Sequence, residues 1–473
     1  MKRKSSISIH LIIFSISFSG LFFSSCGKKN LEGLMVCTEV TGKIQHQNLW
    51  KSKTPARIVA IDPAQPEGNI KVLTEGYYSA HSPEISWDGK SMLFTARQKE
   101  NDSWKIYEMN LDNFKIRQVT SSDENCSNAV HLPNGRLVYG LLTCKDSANT
   151  GHPLFTCNPD GSDPKQITFN RNTYSALTVL NDGRVLALDK TSSADKQKNI
   201  LMVMRPDGTK AELFYQGTVG SNLISSVSET TNGKIVFVES GAGTPNGTNI
   251  TSISYNRPLH SRVNLTSEIK GDFQSVFPMP SGKLLVSYRT SEAERYSVYE
   301  FDPETKSLGK LVFADAEYDV CEIAVVHQQV RPKKLPSEVD FGVKTGLLLC
   351  QDVNFSDPNS IKNSPALQKA VSVEIMGIDS SMGIVPVEQD GSFFLKVIAD
   401  QPFHIRTLDE NGKVLNQPCE WIWIRPNERR GCVGCHEDHE QTPENRVPLA
   451  VKNLPVNVPV HIEKIKEKKI SLE

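Results

Sequence analysis

The clearest chemical pattern lies near the C-terminal end of the chain, at Cys432-x-x-Cys435-His436. Two thiols at this spacing can form thioethers with both vinyl groups of one porphyrin, and the adjacent imidazole then lies under the iron. The spacing therefore predicts a covalent c-type haem with His436 as an iron ligand. Gly434 leaves the backbone between the two thiols without a β-carbon.

Three arginines precede the motif, at Arg425, Arg429 and Arg430. A guanidinium pairs with a carboxylate through two parallel hydrogen bonds. We therefore expect these side chains to be candidate partners of the haem propionates.

Two other chemistries fit the same thiols. Zinc could be bound by Cys432, Cys435 and His439, but a tetrahedral site would need a fourth ligand from elsewhere. A disulfide or a thioredoxin-type dithiol is the other alternative. Such a redox dithiol normally opens a helix after a strand, and the surrounding sequence shows no βαβ pattern.

The second axial position of the iron is open at this stage. The side chains that could supply a ligand are His327, His404, Met376 and Met382, although each is also an ordinary packing or surface residue. His439 lies only three positions after His436, which is too near in sequence to reach across the ring. A vacant position would suit binding of a small molecule, whereas a filled one would suit electron transfer.

The N-terminus predicts export and a membrane anchor. A basic start at Lys2, Arg3 and Lys4 is followed by an apolar run over residues 7–23, which is typical of a signal peptide over residues 1–25. The run ends at Ser24-Ser25-Cys26, which resembles the lipobox of bacterial lipoproteins, so we expect a lipid on Cys26. Gly27 after the cysteine favours the outer membrane, facing the periplasm. An uncleaved anchor is the alternative, for which the apolar run is short.

Charge and cysteine content narrow the possible functions. The 473 residues have a formal net charge of -1, so we expect no nucleic-acid partner. Of the ten cysteines, seven remain outside the lipobox and the haem motif, an odd number at irregular spacing. Pairing of Cys126 with Cys144, or of Cys144 with Cys157, is possible in an exported protein, but buried thiols explain them equally well.

A repeat predicts a β-propeller over residues 57–328, after a tether at residues 26–56. Turn glycines recur at Gly89, Gly135, Gly183, Gly233 and Gly282, and subtraction of these positions gives steps of 46, 48, 50 and 49. Each turn precedes an apolar strand with alternating pattern, and a period near 50 with four short strands is typical of propeller blades. These repeats resemble the periplasmic propeller of the Tol system.

The predicted number of blades is six, with seven as the alternative. Five units have a turn glycine, and the sixth blade combines an outer strand at residues 57–62 with a first strand at residues 320–327. Pairing the two ends in one blade would remove the free sheet edges.

The remainder of the chain predicts a second, smaller β domain. A proline-containing linker at residues 329–340 leads to a β-sandwich-like domain at residues 341–420, with strand patterns separated by Asp-Gly and Asn-Gly turns. A short haem-binding segment follows at residues 421–446, and then a C-terminal tail at residues 447–473. Trp421 and Trp423 lie on one face of that segment, where they line a haem pocket or pack in a core. The predicted fold class is all-β.

The order of these features resembles proteins related to the hydrazine synthase alpha subunit. The resemblance is most specific in the run from Trp423 to Glu437, and it extends to Arg331-Pro332 in the linker and to Asp390-Gly391-Ser-Phe-Phe. It implies an N-terminal propeller packed against a middle domain that contains a c-type haem.

The resemblance does not extend to hydrazine synthesis. In hydrazine synthase a tyrosine shortly after the attachment motif binds the haem iron, while the histidine of the motif binds zinc. This sequence contains no tyrosine after Tyr318 and ends at Glu473 with a single motif of this kind, whereas the family enzyme has a further haem domain. We therefore expect His436 to bind iron.

Three functions are compatible with the sequence. The first is a lipid-anchored monohaem redox or electron-transfer protein whose propeller docks a protein partner. The second is a scaffold without a redox role that binds a protein or a glycan. The third is an enzyme that acts on a small nitrogen or oxygen compound at an open haem.

Overall fold

The computed structural model describes residues 33–42, 44, 54–65, 70–142, 151–193, 196–218, 220–241, 247–355, 369–416, 421–434 and 444–460, and these form an all-β protein, as predicted. In the described part of residues 35–325, the strands are β1 (Met35–Thr41), β2 (Ala56–Ile61), β3 (Lys71–Val72), β4 (Ser79–Ile85), β5 (Ser91–Arg97), β6 (Lys105–Asn110), β7 (Ile116–Gln118), β8 (Asn125–His131), β9 (Leu137–Leu142), β10 (Leu154–Cys157), β11 (Lys165–Gln166), β12 (Thr173–Val179), β13 (Val185–Ser193), β14 (Lys196–Met204), β15 (Glu212–Tyr215), β16 (Asn222–Glu229), β17 (Lys234–Ser240), β18 (Thr248–Ser254), β19 (Val263–Asn264), β20 (Asp272–Pro278), β21 (Leu284–Arg289), β22 (Ser297–Asp302), β23 (Ser307–Phe313) and β24 (Tyr318–Val325).

These strands form four-stranded antiparallel sheets in a propeller-like arrangement. Five described sheets consist of consecutive strands, β4–β7, β8–β11, β12–β15, β16–β19 and β20–β23. A further sheet has the order β24-β1-β2-β3, so the two ends of this region share one sheet. The first strands of neighbouring sheets contact each other in the order β4, β8, β12, β16, β20, β24 and back to β4.

The five turn glycines lie where the repeat predicted them, each between the first and second strand of a sheet. All five have positive φ, from 69° at Gly89 to 92° at Gly183. A side chain is strained in this region of φ, which explains why glycine recurs at the same place in each repeat.

The expectation of a tether over residues 26–56 is wrong for β1. This strand is buried along six of its seven residues and pairs with β2 on one side and β24 on the other. Its sequence lacks the usual alternation of buried apolar and exposed polar residues. Glu39, although charged, has a fully buried side chain, which accepts a 2.7 Å hydrogen bond from Arg57.

Hydrophobic cores lie between neighbouring sheets. In one of them, Val236 and Val238 of β17 pack with Phe273 of β20 and Val286 of β21, each at most 2% exposed. Full burial of a side chain of this size stabilises the fold by about 1.5–3 kcal/mol. The apolar alternation of each repeat therefore binds one sheet to the next.

The second region contains two further sheets that enclose one core. Its strands are β25 (Thr345–Cys350), β26 (Ser372–Met376), β27 (Ser381–Pro386), β28 (Phe393–Ile398), β29 (His404–Leu408), β30 (Val414–Asn416), β31 (Arg429–Cys432) and β32 (Val456–Val458), with a 3-10 turn at Leu449–Lys452. The sheet orders are β31-β25-β28-β32 and β27-β26-β29-β30. Leu348, Val373, Leu395 and Phe403 pack between them.

Two predicted boundaries differ from the structure. The segment 421–446 and the tail 447–473 were expected to follow the β-sandwich-like domain, but β31 and β32 are edge strands of one of its sheets. Both pair in parallel, β31 with β25 and β32 with β28. Parallel pairing joins strands that are distant in sequence, so no hairpin turn marked them.

The expectation for the cysteines is tested in part. Cys126 and Cys157 are buried thiols outside any disulfide, and burial raises the pKa of Cys157 to about 11, whereas Cys144 lies outside the described residues. In the part of the chain that the structure describes, no helix has the length and apolar character that crossing a bilayer requires.

Candidate cofactor-attachment site

Strand β31 places the first thiol of the motif at the edge of a sheet. Cys432 is its last residue, lies opposite Cys350 of β25 and is partly exposed. Its carbonyl accepts a 2.9 Å bond from the backbone N–H of Gln351, and the carbonyl of Val433 accepts a 3.0 Å bond from Asp352. The backbone on both sides of this thiol is therefore held by the sheet.

Gly434 lies against the backbone of the loop that follows β25. A β-carbon at this position would be 2.1 Å from the carbonyl oxygen of Phe355 and 3.1 Å from that of Asp352. Backbone atoms cannot rotate away as a side chain can, so the position accepts only glycine without a shift of the chain. Cys435, His436, His439 and Cys26 lie outside the described residues.

A buried carboxylate organises the chain just before the motif. The side chain of Glu428 is fully buried, and its Oε1 accepts bonds from Arg430 Nε at 2.9 Å and Nη2 at 2.8 Å. Oε1 also accepts from the backbone N–H of Lys210 at 2.7 Å, and Oε2 from that of Arg425 at 2.7 Å. Lys210 lies between β14 and β15, so these four bonds, here named the Glu428 network, join the propeller-like region to the motif.

Arg425 has different partners from the propionates that we expected. Its guanidinium is 3% exposed, bonds Asp400 Oδ1 at 2.5 Å and donates from Nε to the carbonyl of Asp207 at 3.0 Å. The guanidinium also lies 4.7 Å from the ring centre of Phe169. Asp207 and Phe169 belong to the propeller-like region, so Arg425 joins the two regions.

The other two arginines differ from each other in exposure. Arg430 forms a salt bridge with Glu428, whereas Arg429 is exposed. Along β31 the exposure alternates, so Arg430 shares a face with Cys432 and Arg429 lies on the opposite face. The structure therefore brings only one of the three guanidinium groups to the face of the thiol, and that one is already paired.

The two tryptophans have different environments. Trp423 is 2% exposed and meets Tyr174 edge-on at 6.4 Å, within the core of the propeller-like region, so its role is core packing. Trp421 is partly exposed and stacks on the ring of His404 at 4.6 Å with an interplanar angle of 5°. Burial, with Arg406 nearby, lowers the pKa of His404, so its imidazole is neutral near pH 7.

The remaining candidate iron ligands are dispersed. Met376 lies opposite His404 in the pairing of β26 with β29, and Met382 packs against the core of the same sheets. His327 lies in the propeller-like region, where its ring meets Phe277 edge-on at 6.4 Å. Among the described residues, no group of three or more His, Cys, Asp or Glu side chains could hold a metal ion.

The linker at residues 329–340 is bound along the propeller-like region. Asp207 accepts bonds from Ser337 Oγ at 2.9 Å and from the N–H of Glu338 at 2.8 Å. Burial acts to raise the pKa of Asp207, but the bonds from Thr209, Glu338 and Ser337 outweigh it and hold that pKa below its usual range. Asp207 is therefore charged at neutral pH and secures the chain that leads to β25.

Sequence reasoning missed the residues that connect the two regions. Glu428 stood inside the motif run without an assigned role, and neither Asp207 nor Asp400 was assigned a role in the site. One signal was present, because an acid between Arg425 and Arg430 in an otherwise basic run suggests a buried charge partner.

Comparisons with known proteins point to one family. Residues 342–437 match the model of the hydrazine synthase alpha subunit middle domain, a range that begins before β25 and ends just after the motif. The curated hydrazine synthase subunit alpha of Kuenenia stuttgartiensis is 22% identical over an alignment of 508 positions, gaps included, and the alignment covers 80% of this chain. The chain spans 62% of the length of that relative.

One solved structure gives the same relation at the level of fold. A structure of Kuenenia stuttgartiensis hydrazine synthase matches with a TM-score of 0.75 at 19% identity, covering 89% of this chain and 72% of that one. A structure of TolB from Acinetobacter baumannii matches with a TM-score of 0.44 at 14% identity, covering 63% of this chain and 67% of that one. In sequence and in fold, the chain is related to the hydrazine synthase alpha subunit.

Proposed function

We propose that this chain is a monohaem c-type redox protein, with haem attached through Cys432 and Cys435 and His436 on the iron. The observation behind this proposal is that the motif completes a region similar to the hydrazine synthase alpha subunit middle domain. A haem so attached would supply one-electron iron chemistry.

The described residues fit such a group. Cys432 is partly exposed at a sheet edge, where a thiol can react with a porphyrin, and its backbone is held on both sides. Gly434, which stands between the two cysteines in the sequence, lies close against the backbone of Phe355. The Glu428 network and Trp423 hold this segment against the propeller-like region. The backbone that precedes the attachment motif is therefore held rigidly.

The propeller-like region completes the proposal. We take its sheets as six blades of one closed ring, because the first strands contact each other in cyclic order and the chain ends share a sheet. Since the related protein is named as a subunit, we propose that this ring docks a protein partner.

The test of the haem proposal is the visible spectrum and intact mass of protein produced with c-type haem maturation machinery. We expect a mass gain of one haem and a reduced spectrum typical of a c-type cytochrome, both absent from the double variant Cys432→Ser/Cys435→Ser. A spectral change with carbon monoxide would indicate an open iron position and favour an enzyme. Wild-type protein without haem would refute the proposal and favour a scaffold that binds a protein or a glycan. Zinc in the purified protein would identify a zinc site instead.

We further propose that Cys26 is lipidated and anchors the mature chain to the outer membrane, facing the periplasm. The support is the basic start, the apolar run and Ser24-Ser25-Cys26. Metabolic labelling with a fatty-acid analogue should mark the wild type but not Cys26→Ala. Equal labelling of both would contradict the anchor.

A further inference from the structure

A channel of about 650 Å3 runs among the first strands of the propeller-like sheets. Each of these strands is interrupted by a bulge in its pairing with the neighbouring strand. The bulges place six side chains in the channel wall, those of Ser82, Asn128, Leu177, Ser226, Gln274 and Glu322. Bulges redirect side chains and are frequent beside functional sites, so the wall is built from the same irregularity in each sheet.

The formal charge of this channel wall is negative. Its ionisable side chains include Glu84, Glu229 and Glu322, and among the described residues of the wall there is neither lysine nor arginine. Glu84 pairs with His131. A wall of this composition attracts cations.

Two of the glutamates accept hydrogen bonds from uncharged donors. Glu322 accepts from Thr38 Oγ1 at 2.7 Å, and from Ser82 N at 2.6 Å and Oγ at 3.2 Å. Glu229 accepts from the N–H of Asn181 at 2.7 Å. Within the described part of the chain, neither carboxylate forms a salt bridge. Burial raises the pKa of both groups, although Arg184 acts in the opposite direction on Glu229.

A buried imidazole belongs to the same wall. His81 is 1% exposed and lines the channel, and burial lowers its pKa to about 3, so it is neutral. His81 Nδ1 forms a 2.9 Å hydrogen bond with Ser82 Oγ, which also lies 3.2 Å from Glu322 Oε1. The other ring nitrogen, Nε2, is buried and has no hydrogen-bond partner among the described residues.

We propose that this channel binds an organic cation through a primary ammonium group, with Glu322 as its charge partner. An ammonium group presents three N–H donors, which suits a wall that contains carboxylate, hydroxyl and side-chain amide oxygens. A divalent metal ion is disfavoured because no cluster of three ligating side chains occurs among the described residues. The cation is either a small free amine or the side chain of a lysine from a partner protein.

Calorimetric titration of the full chain with pentylammonium chloride and with 1-pentanol tests the proposal. The two probes share a carbon chain and differ in the charged head group. We expect pentylammonium to bind about tenfold or more tightly than pentanol, since a hydrogen bond to a charged group contributes about 1.5–3 kcal/mol. Equal affinities, or no binding of pentylammonium, would overturn the proposal.

Variants place the site in the channel. Glu322→Gln should weaken pentylammonium binding severalfold, whereas Glu75→Gln, which removes an exposed carboxylate outside the channel wall, should leave it unchanged. Glu229→Gln gives a second test should Glu322→Gln fail to fold, as judged by its thermal unfolding. Wild-type affinity in both folded channel variants would refute the site.

A peptide pair distinguishes the two sources of the cation. Acetyl-Gly-Lys-Gly-amide and its Nε-acetylated form differ only in the charge of the lysine. Binding of the first alone, together with that of pentylammonium, would favour a partner lysine, and binding of pentylammonium without either peptide would favour a free amine. None of these measurements depends on haem. A failure of the proposed cation site can therefore be distinguished from a failure of the proposed redox function.

Discussion

Replacing Glu428 with alanine is expected to lower the free energy of unfolding by about 3–5 kcal/mol, because removal of one partner leaves the other charge of a buried pair uncompensated. The variant would leave Arg430 without its carboxylate and two backbone N–H groups, those of Lys210 and Arg425, without an acceptor. Urea unfolding followed by tryptophan fluorescence measures the loss. Trp423 is a suitable reporter, since its buried ring lies at the same junction.

Glu338→Ala is the matched control for this prediction. Its carboxylate also meets Lys210, through Nζ at 2.9 Å, but the side chain is 32% exposed. An exposed pair of this kind contributes about 0–1 kcal/mol, so the control should unfold close to the wild type. A Glu428→Ala variant no less stable than Glu338→Ala would show that the Glu428 network does not hold the two regions together.

The propeller-like region was predictable because its signals are local. A turn that requires positive φ needs glycine wherever it recurs, so Gly89 and Gly183 marked the repeat without knowledge of tertiary contacts. Strand β1 was not predicted, because the contact that allows its burial is not local in sequence. Its Glu39 is tolerated in a buried strand only because Arg57, on the neighbouring strand, reaches it.

The contacts of the candidate site were less predictable because they join distant parts of the chain. Arg425 looked like a propionate partner from its position before the motif, yet it meets Asp207, 218 residues away. Guanidinium groups pair with any carboxylate or carbonyl that the fold supplies, and spacing along the chain does not identify which one. Trp423 illustrates the same point, since its neighbour Tyr174 lies in β12.

Gly434→Ala is expected to reduce covalent haem attachment severalfold while the propeller-like region remains folded. The new β-carbon would lie 2.1 Å from the carbonyl oxygen of Phe355, so the chain between Cys432 and Cys435 must shift. Both thioethers need the two thiols at a defined separation, and a shift of the intervening backbone changes it. Overpacking of this kind typically costs about 1–3 kcal/mol, which is a local loss rather than global unfolding.

Gly431→Ala provides the control, because it adds the same methyl group three residues earlier with nothing within 4 Å of the new carbon. We expect this variant to attach haem as the wild type does. The measurement is the ratio of covalent haem, from the pyridine haemochrome spectrum, to protein in each purified variant, with thermal unfolding followed in parallel. Equal haem content in Gly434→Ala and Gly431→Ala would show that the close contact with Phe355 does not position the second thiol. A loss confined to Gly434→Ala would connect the close contact of Gly434 with Phe355, rather than the cysteines alone, to attachment of the group.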